Sequence, residues 1–502
     1  MKVFLMFRDS DFVTSNPLPG NAADLIKDLE INTLLNAMAL GDRFLFDIAK
    51  SAVLSSIDEV EPISYRQAVL KDCLENPAVI RKLYQIPIEA TKRKKQSWLG
   101  IFTHSPSGVL SSAVSLMEMY VDLLRQLTKV ADDHYESFQS EGFVRFFSMI
   151  REELSDDYFA TVDYHLQQLK FREGVLISAE LGKGCEGKNY LLRLPRSKNK
   201  NWIQELFSKK SQSYSFSISE RDDAGARALS DLNNVGINSV ANALAQATDH
   251  IGSFLEAMQN ELAFYVGCIN LKEQLDQIGN PITFPSAFGK YERRLDFHGL
   301  YDLSLALTLK NTVVGNDIEA DGKNLFIITG ANQGGKSTFL RSIGLSQLMM
   351  QAGMFVPATE FASNLSQGIF THYKRKEDVS MRSGKLDEEL ARMSVIVDQI
   401  KPNAIMLFNE SFAATNEREG SEIARQITCA LLDRNIKVFF VTHMYEFARI
   451  FYEKKMKESV FLRAERKAGG KRTFKLAAGT PLPTSYGEDV YKTVFVNKER
   501  VD

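Results

Sequence analysis

The chain has 502 residues, of which 44% are hydrophobic and 25% charged, with a formal net charge of −2. These are the proportions of an ordinary globular protein with a sizeable core, and the length prior is about three domains. The near-neutral charge excludes a globally basic nucleic-acid binder, so any such surface is a local patch. Four cysteines, Cys73, Cys185, Cys268 and Cys429, form no C-x-x-C pair. They read as reduced thiols of a cytosolic protein rather than a disulfide or zinc framework. The opening apolar run is too short for a signal peptide, and no apolar stretch reaches bilayer length.

Residues 20–170 read as helical. Leu29, Leu34, Leu35 and Met38 recur at helical spacing, as do Val114, Met117, Val121 and Leu124. Between 171 and 220 the pattern changes. Gly174–Leu181 and Tyr190–Leu194 read as strands, and Ser213–Ser219 alternates as a half-buried strand does. A long helix follows, its apolar positions stepping from Val240 to Ile269 until Gly279-Asn-Pro281 interrupts. Some 35–40 residues in one helix span roughly 55–60 Å, which is lever length. A buried, coiled-coil-like helix without mechanical role fits the same periodicity. From about 300 onward strand and helix alternate. Strands at 324–329, 369–374, 403–408 and 436–441 imply a mostly parallel sheet with helices on both faces.

Residues 330–337 read Gly330-Ala-Asn-Gln-Gly-Gly-Lys-Ser337 and fit G-x-x-x-x-G-K-[ST]. They follow an apolar strand and open a helix, the setting of a phosphate-binding loop at the carboxyl end of a strand. In that reading Gly330, Ala331, Asn332, Gln333, Gly334, Gly335, Lys336, Ser337 and Thr338 bind ATP. Backbone N–H groups and the helix start hold phosphate, Lys336 reaches the β/γ-phosphates, and the Ser337 hydroxyl ligates Mg²⁺. A glycine-rich turn capping a helix is the plainer alternative. The strand at 404–408 ends in Asn409 and Glu410. An apolar strand with terminal acidic residues suits metal holding and activation of water. Here the charged residue is Glu410, while Asn409 stands where an Asp is usual, so Asn409 holds the metal through water without adding charge. A third strand ends in His443, beside the expected γ-phosphate position, where an imidazole would sense ATP against ADP; a satisfied structural histidine is the plainer alternative. The polar stretch 378–389 runs into a helix at Ser383-Gly384, an anion-binding start or an ordinary cap.

Taken together these segments resemble the MutS family of DNA mismatch-repair ATPases. The resemblance rests on 326–341 with its Gly-x-Asn-x-Gly-Gly-Lys-Ser-Thr core, on Arg382-Ser383 with Glu388, on 407–416, on Val441-Thr-His443, and on Ser485-Tyr-Gly487 after 475–479. It covers about 200 residues specifically, and the upstream helices less so. It implies a homodimer with two composite ATP sites, Ser383 serving its partner's nucleotide in trans, and ATP state coupled through levers to a DNA-embracing clamp. The catalytic set would be Glu410, His443 and Lys336. The chain departs from the family pattern at Asn409 and at Val313, where an adenine-stacking aromatic is expected. The letters Phe-x-Glu of the family's mismatch reader recur only as Phe254-Leu-Glu256, inside the long helix, where packing is expected. Before the core helices there is no room for the mismatch-reading domain, nor after the ATPase domain for a nuclease-like module.

The expected fold class is therefore α + α/β: an N-terminal helical core and lever region with a small β-containing clamp-like insertion, then a C-terminal P-loop ATPase domain with a mostly parallel sheet. The segments are 1–170 (core), 171–235 (clamp-like), 236–290 (lever helix) and 291–502 (ATPase). Two basic clusters can meet DNA phosphates: 92–95, and Arg193, Arg196, Lys198 and Lys200 near the clamp position. The expected function is ATP-dependent, slow-turnover binding of double-stranded or branched DNA in repair or recombination, with ATP, Mg²⁺ and possible repair partner proteins, in the cytoplasm or nucleoid and not at a membrane. The alternatives are an ATP-driven scaffolding dimer that engages proteins, and a transporter ATPase subunit, disfavoured because Leu-Ser-Gly-Gly is missing from the signature.

Overall fold

The computed structural model describes residues 1–98, 105–172, 174–193, 214–219, 221–375, 384–466 and 472–482. Eight helices come first: α1 (Ala22–Asp28), α2 (Ile31–Ala39), α3 (Arg43–Leu54), α4 (Val60–Glu75), α5 (Pro77–Trp98), α6 (Pro106–His134), α7 (Glu141–Glu153) and α8 (Asp156–Leu169). A hairpin of β1 (Leu176–Leu181) and β2 (Gly187–Arg193) precedes α9 (Asp223–Ile278). Then come β3 (Ser286–Phe288), β4 (Leu295–Leu300), α10 (Leu303–Leu309), β5 (Asn316–Glu319), β6 (Leu325–Thr329), α11 (Lys336–Gln351), β7 (Glu360–Asn364) and β8 (Ile369–Tyr373). The last elements are α12 (Lys385–Gln399), β9 (Ile405–Asn409), α13 (Glu417–Asp433), β10 (Lys437–Val441), α14 (Tyr445–Glu453), β11 (Ser459–Arg466) and β12 (Arg472–Ala478). Side chains of Asp42, Ser105, Ser155, Asp302 and Asn416 accept from first-turn N–H groups and so fix where α3, α6, α8, α10 and α13 begin.

Contacts divide the chain into two units that interleave in sequence. One comprises Met1–Val3, Arg81–Phe138 and Val144–Gln259; the other comprises Phe4–Ile80, Gln139–Phe143 and Asn260–Asp502. In the first unit, Phe146 of α7 stacks on Phe254 of α9 with centroids 6.5 Å apart, so Phe254 is a packing residue. The antiparallel β1–β2 hairpin carries a register shift between Ser178 and Glu180. The alternating stretch at 214–219 forms no strand, and Tyr214 and Phe216 are 88% and 85% exposed. Alternation supplies a strand with a face but not with a partner, and none pairs with it among the described residues. Helix α9 has 56 residues and starts well before the apolar run. Its first turns, with Ala224, Ala226, Ala228 and Leu229, form helix by propensity rather than by burial, and Asp222 accepts from Gly225 N–H at the start.

In the second unit a six-stranded sheet runs β12-β11-β6-β10-β9-β8. Strands β11, β6, β10, β9 and β8 pair in parallel; only the edge strand β12 is antiparallel. Strands β6 and β10 are buried along their whole length, as continuous apolar runs in a covered parallel sheet are. Phe326 and Phe439 stack across this pair at 4.3 Å. A four-stranded sheet, β3-β7-β4-β5, accompanies it. Its short strands carry no signal strong enough to have been read from the sequence.

Candidate functional site

The register of the parallel sheet brings three strand ends together. Val441 of β10 lies opposite Ile328 of β6 on one side and Asn409 of β9 on the other. The residues just past these three strands therefore meet at one edge: the loop 330–335 after β6, Glu410 after β9, and His443 after β10. The loop turns tightly. Gly330 and Gly335 adopt φ of 110° and 90°, in the region open to glycine. A Cβ on Gly330 would lie 2.9 Å from the backbone N of Ala464 on β11, so the loop lies flat against its neighbour only because that Cβ is missing.

Lys336, at the first position of α11, folds back over the loop. Its Nζ donates to the carbonyls of Gly330 and Ala331 at 3.0 Å each and lies 3.5 Å from His443 Nε2. Burial pushes the amine below the ordinary lysine range; Glu410 opposes that shift and Arg472 adds to it. His443 Nε2 lies 3.0 Å from Glu410 Oε1, and Ser337 Oγ donates to Asn409 Oδ1 at 3.0 Å. Lys336, Ser337, Asn409, Glu410 and His443 thus form one contiguous polar cluster. Asn332 and Gln333 are exposed at the loop tip, and Thr338 is half-buried. The hydrogen bonds of this cluster do not include Arg193. Arg193, on β2, donates through Nε to Ser178 Oγ across the hairpin at 2.9 Å. Ser383, Arg196, Lys198, Lys200 and Ser485–Gly487 lie outside the described residues.

Two features of this edge were not read from the sequence. Arg472 on β12 donates to Gln333 Oε1 at 2.6 Å, tying the loop tip to the edge strand. Beside the loop lies a cavity of about 360 Å³ whose lining includes Leu309, Val313, Asn316, Gly335, Thr338 and Phe474. Phe474 is 48% exposed and adopts φ 62°. Val313 and Phe474, some 160 residues apart in the chain, thus line one cavity, which no local pattern announces.

Comparison with known proteins supplies the lineage. A family model for the MutS2 N-terminal domain matches residues 58–278, and a model for MutS domain V matches residues 326–502. The chain belongs to the MutS family. It is 34% identical over 144 residues to the DNA mismatch repair protein MutS of Chloroflexus aurantiacus, covering 28% of this chain and 15% of that protein. It is 31% identical over 188 residues to the DNA mismatch repair protein MutS of Thermus aquaticus, covering 38% and 23%. With the MutS protein homolog 4 of Homo sapiens it shares 29% identity over 152 residues, covering 30% and 16%. The matched stretches span less than a quarter of these relatives' own lengths. The loop, Asn409, Glu410 and His443 all fall within the MutS domain V match, and Arg193 falls within the MutS2 N-terminal match. No helix among the described residues is long and apolar enough to cross a membrane.

Proposed function

We propose that this chain is an ATP-dependent DNA-binding protein of MutS type, in which ATP binding and hydrolysis drive DNA clamping in repair or recombination. The observation that carries the reading is the convergence of Lys336, Ser337, Asn409, Glu410 and His443 at the ends of three adjacent parallel strands. The donor set suits a nucleotide: a lysine for the β- and γ-phosphates, and a hydroxyl, an amide oxygen and a carboxylate for a hard cation. Magnesium, when bound, neutralises charge on the phosphate oxygens; Ser337 would hold it directly and Asn409 through water. In hydrolysis the Glu410 carboxylate takes a proton from water as the water oxygen bonds to the γ-phosphorus and the bond to the bridging β–γ oxygen breaks. Lys336 offsets charge on the phosphates, and His443 orients Glu410. The cavity beside Gly335, whose lining includes Val313 and Phe474, suits the base. In this reading segments 1–170, 171–235, 236–290 and 291–502 act as core, clamp, lever and ATPase. Ser383 completes the site of a second copy, and repair proteins are further partners.

Two substitutions test the site. Lys336→Ala should abolish or greatly weaken ATP binding by calorimetry while the circular dichroism stays native; unchanged affinity overturns the phosphate-loop reading. Glu410→Gln should keep ATP binding and lose turnover. In electrophoretic mobility shifts, duplex and branched DNA should bind in a nucleotide-dependent way; no binding at low salt in any nucleotide state favours a scaffold that engages proteins.

A further inference from the structure

The turn after β9 holds two non-glycine residues in the left-handed region, Glu410 at φ 54° and Phe412 at φ 61°. Such conformations persist only where the surroundings over-determine them. Glu410 N–H donates to Val441 O at 2.9 Å. Phe412 N–H donates to Glu389 Oε2 at 2.7 Å. Ser411 Oγ lies 2.8 Å from His372 Nδ1 and within reach of the His372 carbonyl, and its single hydroxyl proton is shared between these two acceptors. His372 Nε2 faces the Glu389 carbonyl at 2.9 Å, so Nε2 carries the ring proton and Nδ1 is left as an acceptor. The His372 ring stacks on Phe412 with centroids 5.1 Å apart and planes 16° apart. His372, Ser411 and Phe412 are fully buried, and Glu389 is nearly so.

Glu389 is the informative member. It sits in α12, it is buried, and its Oε1 has no hydrogen-bond partner among the described residues. A buried carboxylate that spends its other oxygen on a single backbone N–H does little that an apolar residue would not do better for packing. Its contact is specific to the turn that carries Glu410. His372 joins the same turn to the same helix from β8. Burial pushes the Glu389 carboxyl above the usual carboxylate range; the Phe412 N–H and Arg392 oppose the shift.

We propose that Glu389 and His372 are positioning residues for ATP hydrolysis: they lock the Glu410–Phe412 turn in its left-handed form and tie the aim of the Glu410 carboxylate to the placement of α12. This rests on Glu410 being the hydrolytic base. Neither residue lies in the Lys336–His443 cluster, so both act through Glu410. The phosphate loop belongs to β6 and α11 and does not share these contacts, so nucleotide affinity is independent of the lock.

The test compares Glu389→Leu, Glu389→Gln and Ser411→Ala with the unaltered chain. Glu389→Leu should lower kcat about tenfold to a hundredfold, as misaimed catalytic groups do. KM and the calorimetric Kd for ATP should stay within about twofold. Glu389→Gln, whose amide oxygen still accepts the Phe412 N–H, should recover most of the loss. Amide hydrogen exchange should speed up in the peptide 408–414 of Glu389→Leu and not in the peptide 325–340. Equal losses for Leu and Gln, a matching loss of ATP affinity, or unchanged exchange at 408–414 would each overturn the proposal. Should Glu389→Leu not fold, Ser411→Ala decides: a lower kcat at unchanged Kd with faster local exchange supports the lock, and unchanged values overturn it. Glu410→Gln is run alongside. If it hydrolyses ATP normally, the hydrolytic reading of Glu410 fails, while the exchange data still report on the lock.

Discussion

Burial governs protonation at single residues here, and His372 makes the consequence measurable. Its imidazole is pushed from the ordinary 6.5 down to about 4, first by burial and then by Arg392. The unfolded chain therefore takes up a proton between pH 6.5 and 4 that the native chain refuses. The stability contributed by neutral His372 is complete above about pH 6.5 and is lost as the pH falls towards 4, a change of about 3 kcal/mol. Glu261, raised by burial to about 7, has the opposite sign. There the native chain binds the proton first, so that contribution is complete below about 4.5 and is lost as the pH rises through 7. The two windows overlap, so the measurement is a difference. Urea midpoints from pH 7 to 4 are compared between the unaltered chain and His372→Asn, whose amide keeps a polar atom near Ser411 but does not titrate. The unaltered chain should lose about 3 kcal/mol more across that range; parallel curves would mean that His372 takes up its proton alike in the native and unfolded chain.

Helix α9 depends on partners far away in the chain. Its apolar stripe is plain in the sequence, and Glu261 interrupts it between Met258 and Leu262, all three fully buried. The interruption was visible; its reason was not. Glu261 accepts N–H bonds from Leu5 (2.6 Å), Met6 (3.1 Å) and Phe12 (2.9 Å), and Tyr265 OH donates to Leu5 O at 2.6 Å. One helical carboxylate thus organises an N-terminal segment that lacks regular structure of its own. Glu261→Leu would leave three buried N–H groups without acceptors, at a cost of about 3–5 kcal/mol. Glu261→Gln, which keeps one acceptor oxygen, should cost clearly less. Urea unfolding measures both, and a midpoint for Glu261→Leu near that of the unaltered chain would mean that the segment finds other partners. The same lesson holds at 214–219, where periodicity described a strand that has no ladder partner among the described residues.

For the whole molecule, the testable statement concerns DNA. The candidate contacts, Arg193 on the β1–β2 hairpin and Arg196, Lys198 and Lys200 soon after it in the sequence, are residue types suited to phosphates. Binding should be strongly salt-dependent and indifferent to a single mispair. Arg193→Ala combined with Arg196→Ala should weaken it evenly across sequences and flatten the log–log salt slope by roughly one or two units. A mismatch preference of about tenfold, some 1.4 kcal/mol, would instead require a base reader. Titrations of matched and mismatched duplexes at several salt concentrations separate these outcomes. The sequence by itself determined the strand–loop–helix at 325–351, the strands that end at Asn409 and Val441, and the apolar course of α9. Each of these is written in residue types a few positions apart, where periodicity and turn chemistry act directly. Only the tertiary structure decided that β10 lies between β6 and β9, which sets His443 against both Lys336 and Glu410. It also decided that Glu389 and His372 contact the turn after β9, that Phe474 and Val313 line one cavity, and that Leu5, Met6 and Phe12 bind Glu261. Strand order and buried polar pairing join residues far apart in the chain, and such pairings leave no period or spacing in the sequence.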